Sequence, residues 1–135
     1  MTEYFLIETP RHLTLWKKKE DTYFHLTSLP EICERDRMLK SYLLYFLETN
    51  SLAKSEFINE LRIFDVEEEL GEIIKELIKL RVHFTSSSEI TSFLRDIGFF
   101  SCMEKKDYST LRKKLATYKA FLRIEGKRNE RLQIL

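Results

Sequence analysis

Asp65-Val-Glu-Glu-Glu-Leu-Gly-Glu-Ile-Ile-Lys-Glu-Leu-Ile-Lys-Leu-Arg-Val-His83 carries the clearest periodicity in the chain. Val66, Leu70, Ile73, Ile74, Leu77, Ile78 and Leu80 recur at three- and four-residue spacing, which places them on one stripe of a helix. Asp65 and Glu68 have the form of a capping pair. Glu67, Glu68, Glu69 and Glu72 fall in the opening turns, where the helix dipole favours negative charge. The pattern predicts an amphipathic helix from Asp65 to about His83, with a core on its apolar side.

Working towards the amino terminus, Asn50 and Ser51 predict a stop and a cap for a shorter helix ending near Phe64. Before it, Ser28-Leu-Pro-Glu31 reads as a capping box opening a helix to about Thr49, whose Tyr42-Leu-Leu-Tyr-Phe-Leu47 half is apolar nearly all round and so belongs to a core. The first 27 residues change period. Tyr4 to Ile7, His12 to Trp16 and Thr22 to Leu26 are rich in aromatic and β-branched types around turn signals, which predicts an antiparallel meander. With Lys17 to Glu20 as the loop, Leu13 pairs with Phe24 and Leu15 shares their face, while His12, Thr14, Tyr23 and His25 face the other way.

Towards the carboxyl terminus, Ser86 with Glu89 makes another capping box. Ile90, Phe93, Leu94 and Ile97 give a short helix with Gly98 at its C′ position. Asp107 caps a last helix with the stripe Leu111, Leu115, Tyr118 and Leu122. Leu122 to Glu125 and Arg131 to Leu135 read as strands flanking the turn Gly126-Lys-Arg-Asn129. The expected class is α+β, mostly helical, divided into 1–64, a meander with two helices, and 65–135, the two parts sharing one core.

Composition narrows the function. The 135 residues are 43% hydrophobic and 33% charged with a net charge of +1, as in a folded chain without a polyelectrolyte tail. The longest apolar run is Tyr42 to Leu47, too short for a membrane span, and no signal peptide is evident. Cys33 and Cys102, far apart and outside any C-x-x-C, suit reduced thiols, so an intracellular, cytoplasmic setting is expected. Three glycines leave no material for a phosphate-cradling loop, and no cofactor is expected. His12 and His25, opposed across the expected hairpin, lack a third metal ligand. Glu68, Glu69, Glu72 and Glu76 share one side of a helix without a cleft to perturb them, and no nucleophile elbow is present, so an enzyme is not expected.

The near-neutral total hides a dipole: residues 103–135 hold ten basic residues against four acidic, 55–102 five against ten, and the first 54 eight of each. Residues 66–135 run as long helix, polar break, short helix, loop, basic helix, strand, basic turn and strand. That order resembles the winged helix-turn-helix superfamily, through Ser88 to Gly98, Tyr108 to Leu122 and Ile124 to Ile134. The resemblance implies a helix from 108 in a DNA major groove and the turn at 126–129 as a wing on phosphate.

With the apolar stripe inward, Ser109, Lys113, Ala116, Thr117 and Ala120 face outward with Thr110 and Arg112 on the flanks. Ser109, Thr110, Arg112, Lys113, Lys114 and Thr117 on the helix, with Lys127, Arg128 and Arg131 in the wing, are the expected DNA contacts. A rival helix-turn-helix using the helix from Asp65 fails, because its acidic first turns would meet phosphate. One short recognition helix gives limited affinity, so a homodimer is expected, with the amino-terminal half for dimerisation or partner docking. Tyr4, Phe5, Trp16, Tyr42, Tyr45 and Phe46 are the aromatics expected at a buried or mutual surface. RNA or another polyanion is the alternative partner for the basic terminal helix, and Trp16, Tyr23 and Lys17 to Lys19 offer a weaker alternative, stacking on and clamping single-stranded nucleic acid. The competing class is a helical protein-protein interaction module, such as an adaptor, inhibitor or secretion-type chaperone, whose acidic middle and basic end dock on charged partners or on each other.

Overall fold

The computed structural model describes residues 2–49, 55–58 and 61–134. Strands β1 (Thr2–Glu8), β2 (His12–Lys19) and β3 (Thr22–Pro30) precede helix α1 (Glu34–Thr49). Strands β4 (Ser55–Ile58) and β5 (Leu61–Val66) follow, then helices α2 (Glu68–Leu80), α3 (Ser87–Asp96), α4 (Phe99–Lys105) and α5 (Tyr108–Ile134). A 3-10 turn, Arg81–His83, closes α2. The five strands form one antiparallel sheet in the order β3-β2-β1-β5-β4. The α+β class stands.

Alternation along the strands decides which face is covered. Tyr4 and Leu6 of β1, Leu13 and Leu15 of β2, Leu29 of β3, and Phe64 and Val66 of β5 are buried on one face. There they meet the apolar stripe Leu70, Ile73, Ile74, Leu77 and Ile78 of α2, which lies where its spacing predicts. The core continues through Leu39, Leu43, Phe46 and Leu47 of α1, Ile90, Phe93 and Leu94 of α3, Phe99 and Met103 of α4, and Leu111 and Leu115 of α5. Gly71 lets α2 approach β1 closely, since a Cβ there would stand 2.6 Å from the Tyr4 ring. The Tyr4 hydroxyl donates to Glu72 Oε1 at 2.5 Å.

Polar clamps fasten the helices. Asp36, 1% exposed, accepts from Arg81 Nε at 2.9 Å and from Arg35 Nε at 3.1 Å, and Arg35 also donates to the Phe84 carbonyl. Lys40, also buried, donates to the Thr9 carbonyl at 3.1 Å and lies 3.6 Å from Glu31. These bonds tie α1 to the end of α2 and to the β1–β2 turn.

Several expectations are corrected. The helix read from Ser28 begins at Glu34, because β3 continues to Pro30 and Ser28 Oγ meets His25 Nε2 at 2.7 Å instead of capping. The shorter helix ending near Phe64 is replaced by β4 and β5, where the aromatic and β-branched Ile63, Phe64 and Val66 fit a pleated sheet. Its cap, Asn50 and Ser51, lies outside the described residues. Asp65 is a strand residue, α2 opens from Glu67, and a boundary at 64/65 falls inside β5. The β2–β3 turn is Glu20 and Asp21, with Glu20 at φ 57°. Leu13 therefore pairs with Leu29, and Phe24 with Lys17. His12 opposes Pro30 and His25 opposes Trp16, so the two histidines do not face each other.

The largest correction is the wing. α5 is one helix from Tyr108 to Ile134, so neither wing strand forms and residues 126–129 are helical. Leu122, Arg123, Glu125, Lys127, Arg128, Arg131, Leu132 and Gln133 are good helix formers, and a single internal glycine costs only about 1 kcal/mol against them. α4 also occupies most of what reads as a loop between Gly98 and Asp107.

Candidate functional site

The expected DNA contacts divide around α5. Ser109, Lys113, Lys114 and Thr117 are exposed and Thr110 is half-buried. The Thr110 N–H donates to Asp107 Oδ1 at 3.2 Å, the predicted cap, and the Thr117 hydroxyl donates to the Lys113 carbonyl within its own helix. Hydrogen bonds from Thr110 hold the Asp107 carboxyl below the usual range. Lys113, Lys114 and Thr117 line a groove towards α3 with Asp96, Ile97, Tyr118 and Phe121. Arg112 turns the opposite way, 3.7 Å from Glu69 of α2, and Lys119 donates to Glu76 at 2.7 Å. The helix backbone carries Lys127, Arg128 and Arg131, but their side chains lie outside the described residues.

The start of α5 stands in the field of the α2 carboxylates. Burial, reinforced by Glu67 and Glu69, pushes the Tyr108 hydroxyl up to about 12. A duplex pressed on this end of α5 would bring its phosphates towards those same carboxylates. Two ion pairs, Arg112 with Glu69 and Lys119 with Glu76, thus join α5 to α2.

The opposite face of the sheet has a different character. Phe5 and Ile7 of β1, Trp16 of β2, Tyr23 of β3, and Ile63 and Asp65 of β5 line an open cavity of about 490 Å³. Phe5, Ile7, Trp16 and Ile63 each alternate with a core residue on their strands, while Tyr23 lies among exposed residues and keeps 60% of its surface in solvent. The rings are ordered by their neighbours. Trp16 Nε1 donates to Thr14 Oγ1 at 2.9 Å and meets His25 edge-on at 5.0 Å, Phe5 lies 6.4 Å from Tyr23, and Lys18 Nζ stands over the Tyr23 ring at 5.4 Å. Phe5 and Asp65 also border a second recess lined by Glu3, Glu67 and Glu68. The apolar cavity and the carboxylate-rich recess thus share Phe5 and Asp65.

Of the aromatics expected at a buried or mutual surface, Tyr4 and Phe46 are core, Tyr42 packs on Phe100 at 5.0 Å, Tyr45 is exposed, and Phe5 and Trp16 belong to this open face. Tyr23 is expected from the sequence beside Trp16 only as a stacking surface for nucleic acid, and Ile7, Ile63 and Asp65 are the members sequence reasoning missed. The available signal was the unbroken apolar run Tyr4-Phe5-Leu6-Ile7, since a strand apolar at consecutive positions presents both faces as apolar.

Among the described residues no cluster of three or more His, Cys, Asp or Glu is placed to hold a metal. No described helix is long and apolar enough to cross a membrane. In comparisons with family models, curated proteins and solved structures, nothing matches the chain.

Proposed function

We propose that the chain is a non-catalytic protein-docking module whose open sheet face receives a partner segment carrying apolar side chains beside basic ones. One observation carries this reading: five large apolar residues, Phe5, Ile7, Trp16, Tyr23 and Ile63, gather around a solvent-open cavity that shares Phe5 and Asp65 with a recess lined by Glu3, Glu67 and Glu68. Exposed apolar patches of this kind mark interaction sites, and aromatic anchors dominate their energetics. The carboxylates select against polyanions and for cations, which disfavours nucleic acid stacking on Trp16 and Tyr23. Adaptors, inhibitors and secretion-type chaperones are the classes that work this way.

Trp16 is the only tryptophan in the chain and lines the cavity, so its emission reports occupancy directly. Short random peptides selected on the protein should be enriched in aromatic or aliphatic residues next to Lys or Arg, and should shift the Trp16 emission. Tyr23→Ala and Asp65→Lys should each weaken such a peptide by roughly tenfold or more. Selection without that enrichment, or peptides that bind and leave Trp16 unchanged, would overturn the reading.

A second reading, duplex DNA held by α5, is favoured by the exposed Ser109, Lys113, Lys114 and Thr117. It requires a complex with random duplex at low salt whose affinity falls along a log-log salt line, by about 0.9 per neutralised phosphate, and flattens in Lys113→Ala. No complex at low salt removes it.

A further inference from the structure

We infer that the segment received by the open sheet face is the end of α5 from a second copy of this chain, an inference that rests on the docking reading above. Lys119 of α5 is bound to Glu76 of α2. Beyond it Leu122 still packs against the core, and the helix continues to Ile134. Phe121 and Ile124 are 54% and 61% exposed, and their three-residue spacing puts them on the same side of the helix. Arg123 between them is also exposed. From 121 to 134 the sequence holds four basic residues against two acidic.

The end of α5 therefore offers apolar anchors beside positive charge, and the sheet face offers an apolar cavity beside Glu3, Asp65, Glu67 and Glu68. Each surface has what the other needs. Two copies related by a two-fold axis would exchange their α5 ends reciprocally, closing both contacts and leaving neither surface free to propagate a chain of copies. The same arrangement gives Phe121 and Ile124 a reason to stand exposed on α5, whose Leu111 and Leu115 are already used in the core.

Light scattering on the eluting full-length protein over a wide concentration series tests this. The expected mass is twice 16.3 kDa. Phe121→Glu combined with Ile124→Glu should weaken the dimer at least tenfold, as should Tyr23→Glu combined with Asp65→Lys. All four side chains are exposed, so both variants should retain the far-ultraviolet circular dichroism of the parent. A mixture of the two variants should recover heterodimers, because the intact α5 of one copy still meets the intact sheet face of the other. A parent chain that stays monomeric, an α5 variant that dimerises like the parent, or a mixture that recovers nothing overturns the inference. Peptide selection separates the two levels: a monomer whose Trp16 still responds to apolar-basic peptides keeps the docking reading, and one whose Trp16 responds to none loses both.

Discussion

Gly71→Ala is the sharpest probe of how α2 is seated on the sheet. The added Cβ would lie 2.6 Å from Tyr4 Cδ1, 2.7 Å from Cγ and 3.0 Å from Cβ. Ordinary carbon contacts are about 3.5–4.0 Å, so the overlap approaches an ångström. The ring cannot swing aside. Tyr4 is 1% exposed, its strand is hydrogen-bonded on both sides, and its hydroxyl is held by Glu72. Overpacking of this kind costs about 1–3 kcal/mol, and the better helix propensity of alanine returns at most about 1 kcal/mol. With the overlap placed in the upper half of that range, the net loss is about 1–2 kcal/mol. Unfolding entropy near ~2.1 cal/mol/K per residue gives about 0.28 kcal/mol/K for this chain, so Tm should fall by about 4–7 °C. Circular dichroism melts and urea midpoints of parent and variant measure it. A variant as stable as the parent, or more stable through its helix propensity, would refute the claim that Gly71 is required by the approach of α2 to β1.

Three further outcomes follow from other parts of the fold. Asp36→Ala strands Arg81 and Arg35 and should cost about 2–3 kcal/mol in urea unfolding, less than the ~3–5 kcal/mol of a fully buried pair because both guanidiniums still reach water. A loss under about 1 kcal/mol would show that Asp36 is not the clamp between α1 and α2. Glu89 accepts from the Thr85 N–H at 2.6 Å and the Thr85 hydroxyl at 3.0 Å, and these bonds, the backbone one foremost, hold its carboxyl below the usual range. A lowered folded-state value means stabilisation present above the ordinary carboxylate pKa of about 4.3 and lost as pH falls through the folded value. Glu89→Gln should therefore melt earlier than the parent at neutral pH, with the gap closing in acid; a gap that persists there refutes the ionic origin. Gly98 sits at φ 74°, so Gly98→Ala should cost about 1–2 kcal/mol, with Gly98→Asn closer to the parent because asparagine tolerates that region. Equal losses for both would point to crowding against Lys114 instead of backbone conformation.

Elements whose local signals agree with their packing were legible. α2 has a stripe, a charged opening and a buried side that all point the same way, and α3 has both its Ser86 cap, accepting from the Glu89 N–H, and Gly98 at its end. Where a local signal competed with sheet formation, the sheet prevailed. Ser28 and Glu31 have the spacing of a capping box, yet pairing with β2 carries β3 past Ser28 to Pro30. Residues 61–66 contain enough apolar residues to imitate a helix, but Phe64 and Val66 reach the core only by alternating, because Leu6 and Tyr4 of β1 wait opposite them. β1, the strand that seats β5 in the sheet core, is more than fifty residues away in sequence, and no window short enough to show periodicity contains both.

The misreading of α5 bears on function. A glycine between two short apolar stretches imitates a hairpin, but a wing also requires a sheet partner and a turn free to project, and nothing in residues 122–134 opposes continuing the helix except Gly126. Once helical, the segment cannot act as a β-finger on phosphate. The described cations earlier in α5 are divided around the helix: Arg112 and Lys119 face the carboxylates of α2, while Lys113 and Lys114 face α3. A ridge converging on one duplex would need them together. The open sheet face, by contrast, depends on strand register alone. Phe5 opposite both Trp16 and Asp65, and Ile7 opposite Ile63, are consequences of β1 being the middle strand of five. A one-residue slip would carry those rings into the core and Tyr4 and Leu6 out of it, so the buried residues that specify the fold also specify the docking face.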